Sequence, residues 1–428
     1  MSRTSLPRRR AVRTLTVLTG SLALALGGVS AAGAEEAEEP PATSGFDPVA
    51  GVDEIVVAVQ PGADVGALAA DYGLTVIEGL TGSPDTFLLQ APAGSDVVDL
   101  SARLAADPRA RFAEPNFRTG SPEANPSYGW GQDAGPQPAG SDPAVWTGQE
   151  ALTRIGAARA QTSGTGAGVT VAVLDTGVSA GHPALAGDLA RPGFDLVDGD
   201  TLPDDVANGV DDDGDGRVDE AAGHGTHVAG IVLAVAPDAR VLPVRVLDSD
   251  GVGSIFTLAE GIRAALDSGA DVLNMSLGTT ENSELLADVL EEVSEDTVLV
   301  ASAGNAGTQQ VQYPAATGGV VSVASVDAQD ALSVFSNRGW VDVAAPGEDV
   351  LSTFPGGGFA RWAGTSMAAP FVAGQAALLL PQLGGDAAGR IPGVITSTAV
   401  PGDPLIGAGR IDVAASVASA TSGGTAAD

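Results

Sequence analysis

Val169-Thr-Val-Ala-Val-Leu-Asp-Thr-Gly177 is the stretch on which the fold turns. An apolar run with no polar alternation reads as a strand buried on both faces, and this one closes on a carboxylate, Asp175, followed by a turn. Similar runs recur at 241–246, 272–275, 298–302 and 320–326, with helix-like segments at 226–233, 257–268 and 283–293 between them. Strands of this kind separated by helices predict an α/β three-layer sandwich with a mainly parallel sheet, over 151–416. In such a sheet, functional groups gather at the carboxyl ends of the strands, where Asp175 stands.

Upstream, the pattern over 54–114 changes to β-α-β-β-α-β, which predicts a separate small α+β domain of the split-βαβ kind over 51–118. Before it, Arg3, Arg8, Arg9, Arg10 and Arg13 precede an apolar run at 11–25 and a small-residue exit, Ala32-Gly33-Ala34, so residues 1–34 read as a secretory signal peptide. The acidic, Pro- and Ala-rich residues 35–50 read as a disordered leader. Pro122, Pro126, Pro136, Pro138 and Pro143 mark 119–150 as an extended connector open to proteolysis, and 417–428 reads as a flexible tail.

Composition removes several chemistries. The chain has no cysteine, and its 20 basic residues are all arginine, which excludes a thiol nucleophile and a Ser-Lys pair. Its three histidines, His182, His224 and His227, form no H-E-x-x-H zinc motif. The net charge is −34; without residues 1–34, 15 basic side chains face 54 acidic ones, a surface that repels nucleic acid and anionic membranes. Neither is expected as a partner, and a monomer is.

A serine hydroxyl becomes a nucleophile when a histidine takes its proton, and that histidine needs a buried carboxylate to hold its tautomer. Asp175 is one such carboxylate. His224 lies in Gly223-His-Gly-Thr-His-Val-Ala-Gly230, where glycines allow a sharp turn before a helix, and His227 reads as a hydrogen-bonded packing residue. Ser366 lies in Gly364-Thr-Ser-Met-Ala-Ala-Pro370, just before an apolar helix whose start offers N–H groups to a developing oxyanion. An ordinary N-cap would also explain that serine. The order Asp, His, Ser differs from that of chymotrypsin-type enzymes and of α/β-hydrolases, and the G-x-S-x-G elbow is missing at Ser366.

These three blocks, with Ala301-Ser-Ala-Gly-Asn305, resemble the signature segments of the subtilisin family. The resemblance implies a secreted serine endopeptidase acting through an acyl-enzyme: Asp175 orients, His224 is base and then acid, Ser366 attacks, and Asn305 with the Ser366 N–H holds the oxyanion. It further implies that Ser276, Leu277 and Gly278 form one edge, and Gly251, Val252 and Gly253 another, that pair with a polypeptide substrate. Ala303 and Gly304 would line the main specificity pocket, with Gln312 near its floor. The small domain, ending Phe112-Ala-Glu-Pro-Asn116, resembles the family's inhibitory propeptide, which would make the chain's own propeptide a partner.

Between Asp175 and His224 lies an acidic insert whose Asp211, Asp213, Asp215 and Asp219 read either as ligands of a structural calcium ion or as part of a solvated acidic loop. Asp211, Asp213, Asp215 and Gly216 fit the start of a calcium loop, although Ala222 replaces the glutamate expected at its twelfth position. Oxygen-only ligands favour calcium over zinc. A catalytically silent, calcium-dependent binding protein on the same fold is the rival reading; it would show damage to Asp175, His224, Ser366 or Asn305, and the sequence shows none. An esterase of small substrates would lack the strand-pairing edges.

Overall fold

The computed structural model describes residues 48–49, 52–123, 135–293, 296–384 and 387–423. The expected signal peptide, most of the expected leader and part of the expected connector lie outside them. The first described elements are β1 (Glu54–Val59), α1 (Val65–Tyr72), β2 (Thr75–Gly79), β3 (Thr86–Gln90), α2 (Val97–Ala105) and β4 (Ala110–Pro115), in the predicted order. Asp64 and Asp96 fix the starts of the helices by accepting from Ala67 N–H, and from Val98 and Asp99 N–H, respectively. The strands form one antiparallel sheet, β2-β3-β1-β4. Alternation along β1 splits its side chains: Ile55, Val57 and Val59 pack under α1 and α2 with Leu68, Leu100 and Leu104, while Val56 and Ala58 join the apolar cluster of the larger domain. Both faces of β1 are therefore covered, which is why Ile55–Val59 is apolar throughout.

The larger domain adds β5 (Arg118–Gly120), β6 (Gln137–Pro138), α3 (Pro143–Thr147), α4 (Glu150–Arg154), α5 (Ala157–Ala160), β7 (Thr170–Asp175), β8 (Phe194–Asp195), α6 (His224–Val235), β9 (Arg240–Arg245), β10 (Val252–Ser254), α7 (Ile255–Asp267), β11 (Val272–Met275), α8 (Glu284–Val293), β12 (Val298–Ser302), β13 (Val320–Val326), β14 (Val343–Pro346), β15 (Val350–Phe354), β16 (Gly358–Trp362), α9 (Thr365–Leu383), α10 (Ile391–Thr398) and α11 (Val413–Gly423). Seven strands form a parallel sheet in the order β14-β13-β12-β11-β7-β9-β8. Consecutive residues point to opposite faces. Val171, Val173, Val298 and Val300 pack with α6 and α9, whereas Ala172, Leu174, Leu299 and Ala301 pack with α7 and α8. This is the three-layer sandwich that the apolar runs predicted. Among the described residues, α9 is the one helix long and apolar enough to cross a membrane, and it is buried in this core.

Two of the expected boundaries move. Part of the 119–150 connector is ordered: β6 pairs with β16, and Trp146 in α3 is buried and stacked on Phe359 at 5.6 Å. An aromatic of this size buried in the core anchors the chain well before residue 151. The expected tail at 417–428 is helical as far as Gly423, because Val417 and Ala420, on one face of α11, are buried in the core.

The small domain docks on the starts of two helices of the larger one. Glu114 accepts from the N–H of Glu284 and Leu285 and from Ser283 Oγ, at 2.7–3.0 Å, at the start of α8. Asn116 Oδ1 accepts from Phe256 N–H at the start of α7. Carboxylate and amide oxygens there take up N–H groups that have no partner within the helix.

Candidate active site

Asp175 closes β7, and His224 opens α6 beside it. Asp175 Oδ1 accepts from Thr176 N–H at 2.8 Å and from His224 Nδ1 at 2.7 Å, with both side chains fully buried. Glycine is required for this approach: a Cβ on Gly225 would stand 2.1 Å from the Gly177 carbonyl oxygen. Helix α6 begins on Gly223, which has no capping side chain, and Asp205 takes that role from a distant loop. Its carboxylate accepts from the N–H of Gly223 and Thr226 at 2.8 and 2.9 Å, and from the hydroxyls of Thr226 and Thr176. Burial pushes the Asp205 carboxyl up to about 6 against these bonds. Sequence reasoning missed Asp205, one acid among many in an irregular loop.

Ser366 lies within the first turn of α9, and not just before the helix as the apolar run suggested. Pro370, four residues on, has no N–H for the Ser366 carbonyl, and Ser276 Oγ donates to that oxygen instead at 3.0 Å. Asn305 faces Ser366 from the end of β12. Its Oδ1 accepts from Thr365 N–H and Oγ1 at 3.0 and 2.8 Å, which turns Nδ2 into the cleft. Thr365 is a second positioning residue that the sequence reading did not single out.

A single carboxylate joins these groups. Glu123 Oε2 accepts from Ser366 Oγ at 2.6 Å and lies 3.1 Å from His224 Nε2; its Oε1 accepts from Asn305 Nδ2 at 2.8 Å and from Ser366 N–H at 3.3 Å. Burial alone would push Glu123 up, but His224 together with the bonds from Ser366 and Asn305 holds it below the ordinary glutamate value. Burial likewise opposes charge on His224, and Asp175 and Glu123 outweigh it, so the imidazole sits far above its ordinary value. His227 is the opposite case. It lies against the Val350 and Ala360 carbonyls, and burial pushes it down to about 3, a neutral packing residue.

The two expected edges flank an extended strand, and that strand is the chain's own β5. Arg118–Gly120 pairs antiparallel with Val252–Ser254, Gly120 and Gly278 exchange two bonds of 2.9 Å, and Ser121 N–H donates to the Gly251 carbonyl. Leu277 offers only its backbone, since its side chain is in the core. Gln312 fills the space between the segments 276–278 and 303–305: a Cβ on Gly278 or Gly304 would lie 2.3 or 2.2 Å from its amide. The side chain is buried, and its Nε2 has no hydrogen-bond partner among the described residues.

The acidic insert separates into two groups. Asp211, Asp213 and Asp215 bring carboxylate oxygens within 4.8 Å of one another. Asp219 is turned elsewhere, accepting from the N–H groups of Asn208 and Gly209, so it is not grouped with the other three. Glu220, which ends the insert and was not among the expected ligands, has a 5 % exposed side chain whose oxygens accept no hydrogen bond among the described residues, with Arg217 3.6 Å away. Burial pushes its carboxyl up to about 7.

Residues 166–420 match the model of the subtilase family, and residues 46–116 that of the fervidolysin N-terminal prodomain. The chain is 41% identical over 281 residues to thermitase of Thermoactinomyces vulgaris, spanning 63% of this chain and 93% of that protein. It is 39% identical over 292 residues to a thermophilic serine proteinase of Bacillus sp. (strain AK1), spanning 65% of each. Among solved structures, it resembles fervidolysin from Fervidobacterium pennivorans, a keratinolytic enzyme related to subtilisin, with a TM-score of 0.69 at 24% identity, covering 86% of this chain and 61% of that one.

Proposed function

The chain belongs to the subtilase family, and from that premise we propose that it is a secreted serine endopeptidase that cuts polypeptides through an acyl-enzyme. Asp175, His224 and Ser366 form its triad, and Asn305 supplies an oxyanion donor. One observation carries this reading. Nucleophile, base and two N–H donors converge on one carboxylate, that of Glu123, at the point where a substrate carbonyl would sit.

With a peptide carbonyl in that place, His224 Nε2 takes the Ser366 Oγ proton as Oγ bonds to the carbonyl carbon. Asn305 Nδ2 and the Ser366 N–H receive the oxyanion, and Asp175 stabilises the imidazolium through Nδ1. His224 then passes its proton to the leaving amine as the C–N bond breaks. Water then bonds to the acyl carbon as it gives a proton to the same imidazole, and His224 returns that proton to Ser366 Oγ as the ester bond breaks. Strand pairing along Gly251–Gly253 and Ser276–Gly278 suits an extended polypeptide. The test is hydrolysis of a peptide series of increasing length by the processed protein. Activity that climbs as residues are added on the amino side of the cut supports an endopeptidase, and equal activity on a short ester supports an esterase.

Gln312 sets a limit on the side chain entering the pocket. Gln312→Ala is expected to raise kcat/KM for a large aromatic residue before the cut, relative to alanine, by at least about tenfold, the scale of hydrophobic pocket discrimination. Parallel assays on two peptides differing only at that position measure the ratio.

Export through residues 1–34, and latency imposed by a propeptide spanning 51–118, complete the reading; the match to a prodomain supports the second. Calcium fits the carboxylate set of Asp211, Asp213 and Asp215, and bound there it would stabilise the insert. At a hundred times its Kd such an ion contributes about 2.7 kcal/mol, on the order of 5–10 °C in Tm for a domain of this size. Chelation is expected to lower the Tm by that amount and calcium to restore it, with Asp213→Asn unresponsive; calorimetry with and without the ion decides.

A further inference from the structure

Glu123 makes contacts that a substrate would need, yet the chain here is not arranged for cutting. Antiparallel pairing with both edges runs through Thr119, Gly120 and Ser121. The next residue, Pro122, has no N–H with which to continue the ladder. The Ser276 carbonyl, next in line along that edge, has Ser366 Oγ 3.2 Å away. Glu123 then folds its side chain back onto the site. It does three things at once there. It takes the hydrogen bond of Ser366 Oγ, it occupies His224 Nε2, and it fills both oxyanion donors. Among the described residues no hydrogen bond joins Ser366 Oγ to His224, so the pair through which the serine would lose its proton is interrupted.

Resting on the peptidase reading above, we propose that Ser121-Pro122-Glu123 is an inhibitor built into the precursor: the Glu123 side-chain carboxylate blocks Ser366, and Pro122 keeps the bond before Glu123 uncut. The blocking group is thus an internal side chain and does not require a free chain end. It also needs no cleavage to exist, so latency is complete in the uncut chain. An anionic carboxylate beside His224 further favours the imidazolium, a form that cannot accept the serine proton. Docking of the small domain through Glu114 and Asn116 keeps β5, and so Glu123, in place.

The full-length chain is refolded with a serine-directed phosphonate, and intact mass is followed in time, so that the label on uncut and processed molecules is scored separately. Uncut Glu123→Ala and Glu123→Gln molecules are expected to take the label at least tenfold faster than uncut wild type, with Glu123→Asp between them, while processed molecules of all four label alike. Equal labelling of uncut wild type, alanine and glutamine forms, with processed molecules reactive, would overturn the proposal. If the alanine variant does not fold, as circular dichroism reports, the glutamine and aspartate variants carry the same comparison. A mature wild-type chain beginning at Glu123 would overturn the part assigned to Pro122. Failure of every processed form to take the label would instead sink the peptidase reading.

Discussion

Ser366→Ala is expected to lower kcat for peptide hydrolysis by about a millionfold with little change in KM. His224→Ala should do the same, and the double variant should be no worse. Asp175→Ala should lose about a hundredfold less than either. The magnitudes are carried over from a subtilisin triad, and their pattern follows from shared work: without the base the hydroxyl is not a nucleophile, and without the hydroxyl the base has nothing to activate. With Asp175 acting through His224, whose Nδ1 lies 2.7 Å from its carboxylate, its loss would leave the other two groups in place. Residual activity above the uncatalysed rate would come from Asn305, the Ser366 N–H and strand binding. The measurement is single-turnover kinetics on chains whose propeptide has been removed in trans by a protease that is then inactivated. A Ser366→Ala chain within tenfold of wild type would contradict the assignment of the nucleophile.

Asn305→Ala is expected to cost about 100- to 1000-fold in kcat, again with KM nearly unchanged. The range comes from the corresponding donor in a subtilisin. The physical reason is differential binding. Asn305 Nδ2 points at the position taken by the negative Oε1 of Glu123, and a charged oxygen gains far more from that N–H than a neutral carbonyl does. Thr365→Val removes the hydroxyl that accepts from Gly304 N–H and donates to Asn305 Oδ1, leaving the amide less well aimed. It should lose a smaller part of the same kcat. Steady-state kinetics on one peptide separates the two parameters, and an effect confined to KM would remove Asn305 from the oxyanion role.

Legibility followed the range of the interactions. Strands β7, β11, β12 and β13 could be read because a strand buried on both faces leaves a continuous apolar run, and Asp175 was visible as the charge that ends one. The β15–β16 hairpin was not read as such: Ser352 and Thr353 are polar yet fully buried, donating to the carbonyls of His227 and Thr226 on α6. A polar residue satisfied by a distant backbone looks like surface in a sequence. Trp146 was assigned to a connector for the opposite reason, since the prolines around it suggested exposure while a partner more than two hundred residues away buried it. His224, Ser366 and Asn305 stood in dense glycine- and alanine-rich blocks that close backbone contact demands. Asp205 and Glu123 act through single side chains in unremarkable surroundings, with no local pattern to reveal them, and Thr365, although inside the Ser366 block, owes its role to a bond with Asn305, 60 residues away. Asp219 shows the converse error: its spacing suited a loop ligand, while its carboxylate serves the neighbouring turn.

The most direct test of the central claim, that Asp175 and His224 make Ser366 a nucleophile, is covalent labelling of the processed chain by a serine-directed phosphonate, read by peptide mapping. The account predicts one label per chain on Ser366, its rate reduced by orders of magnitude in His224→Ala and absent in Ser366→Ala. Label on another serine, or an unlabelled wild-type chain in the presence of calcium, would contradict it.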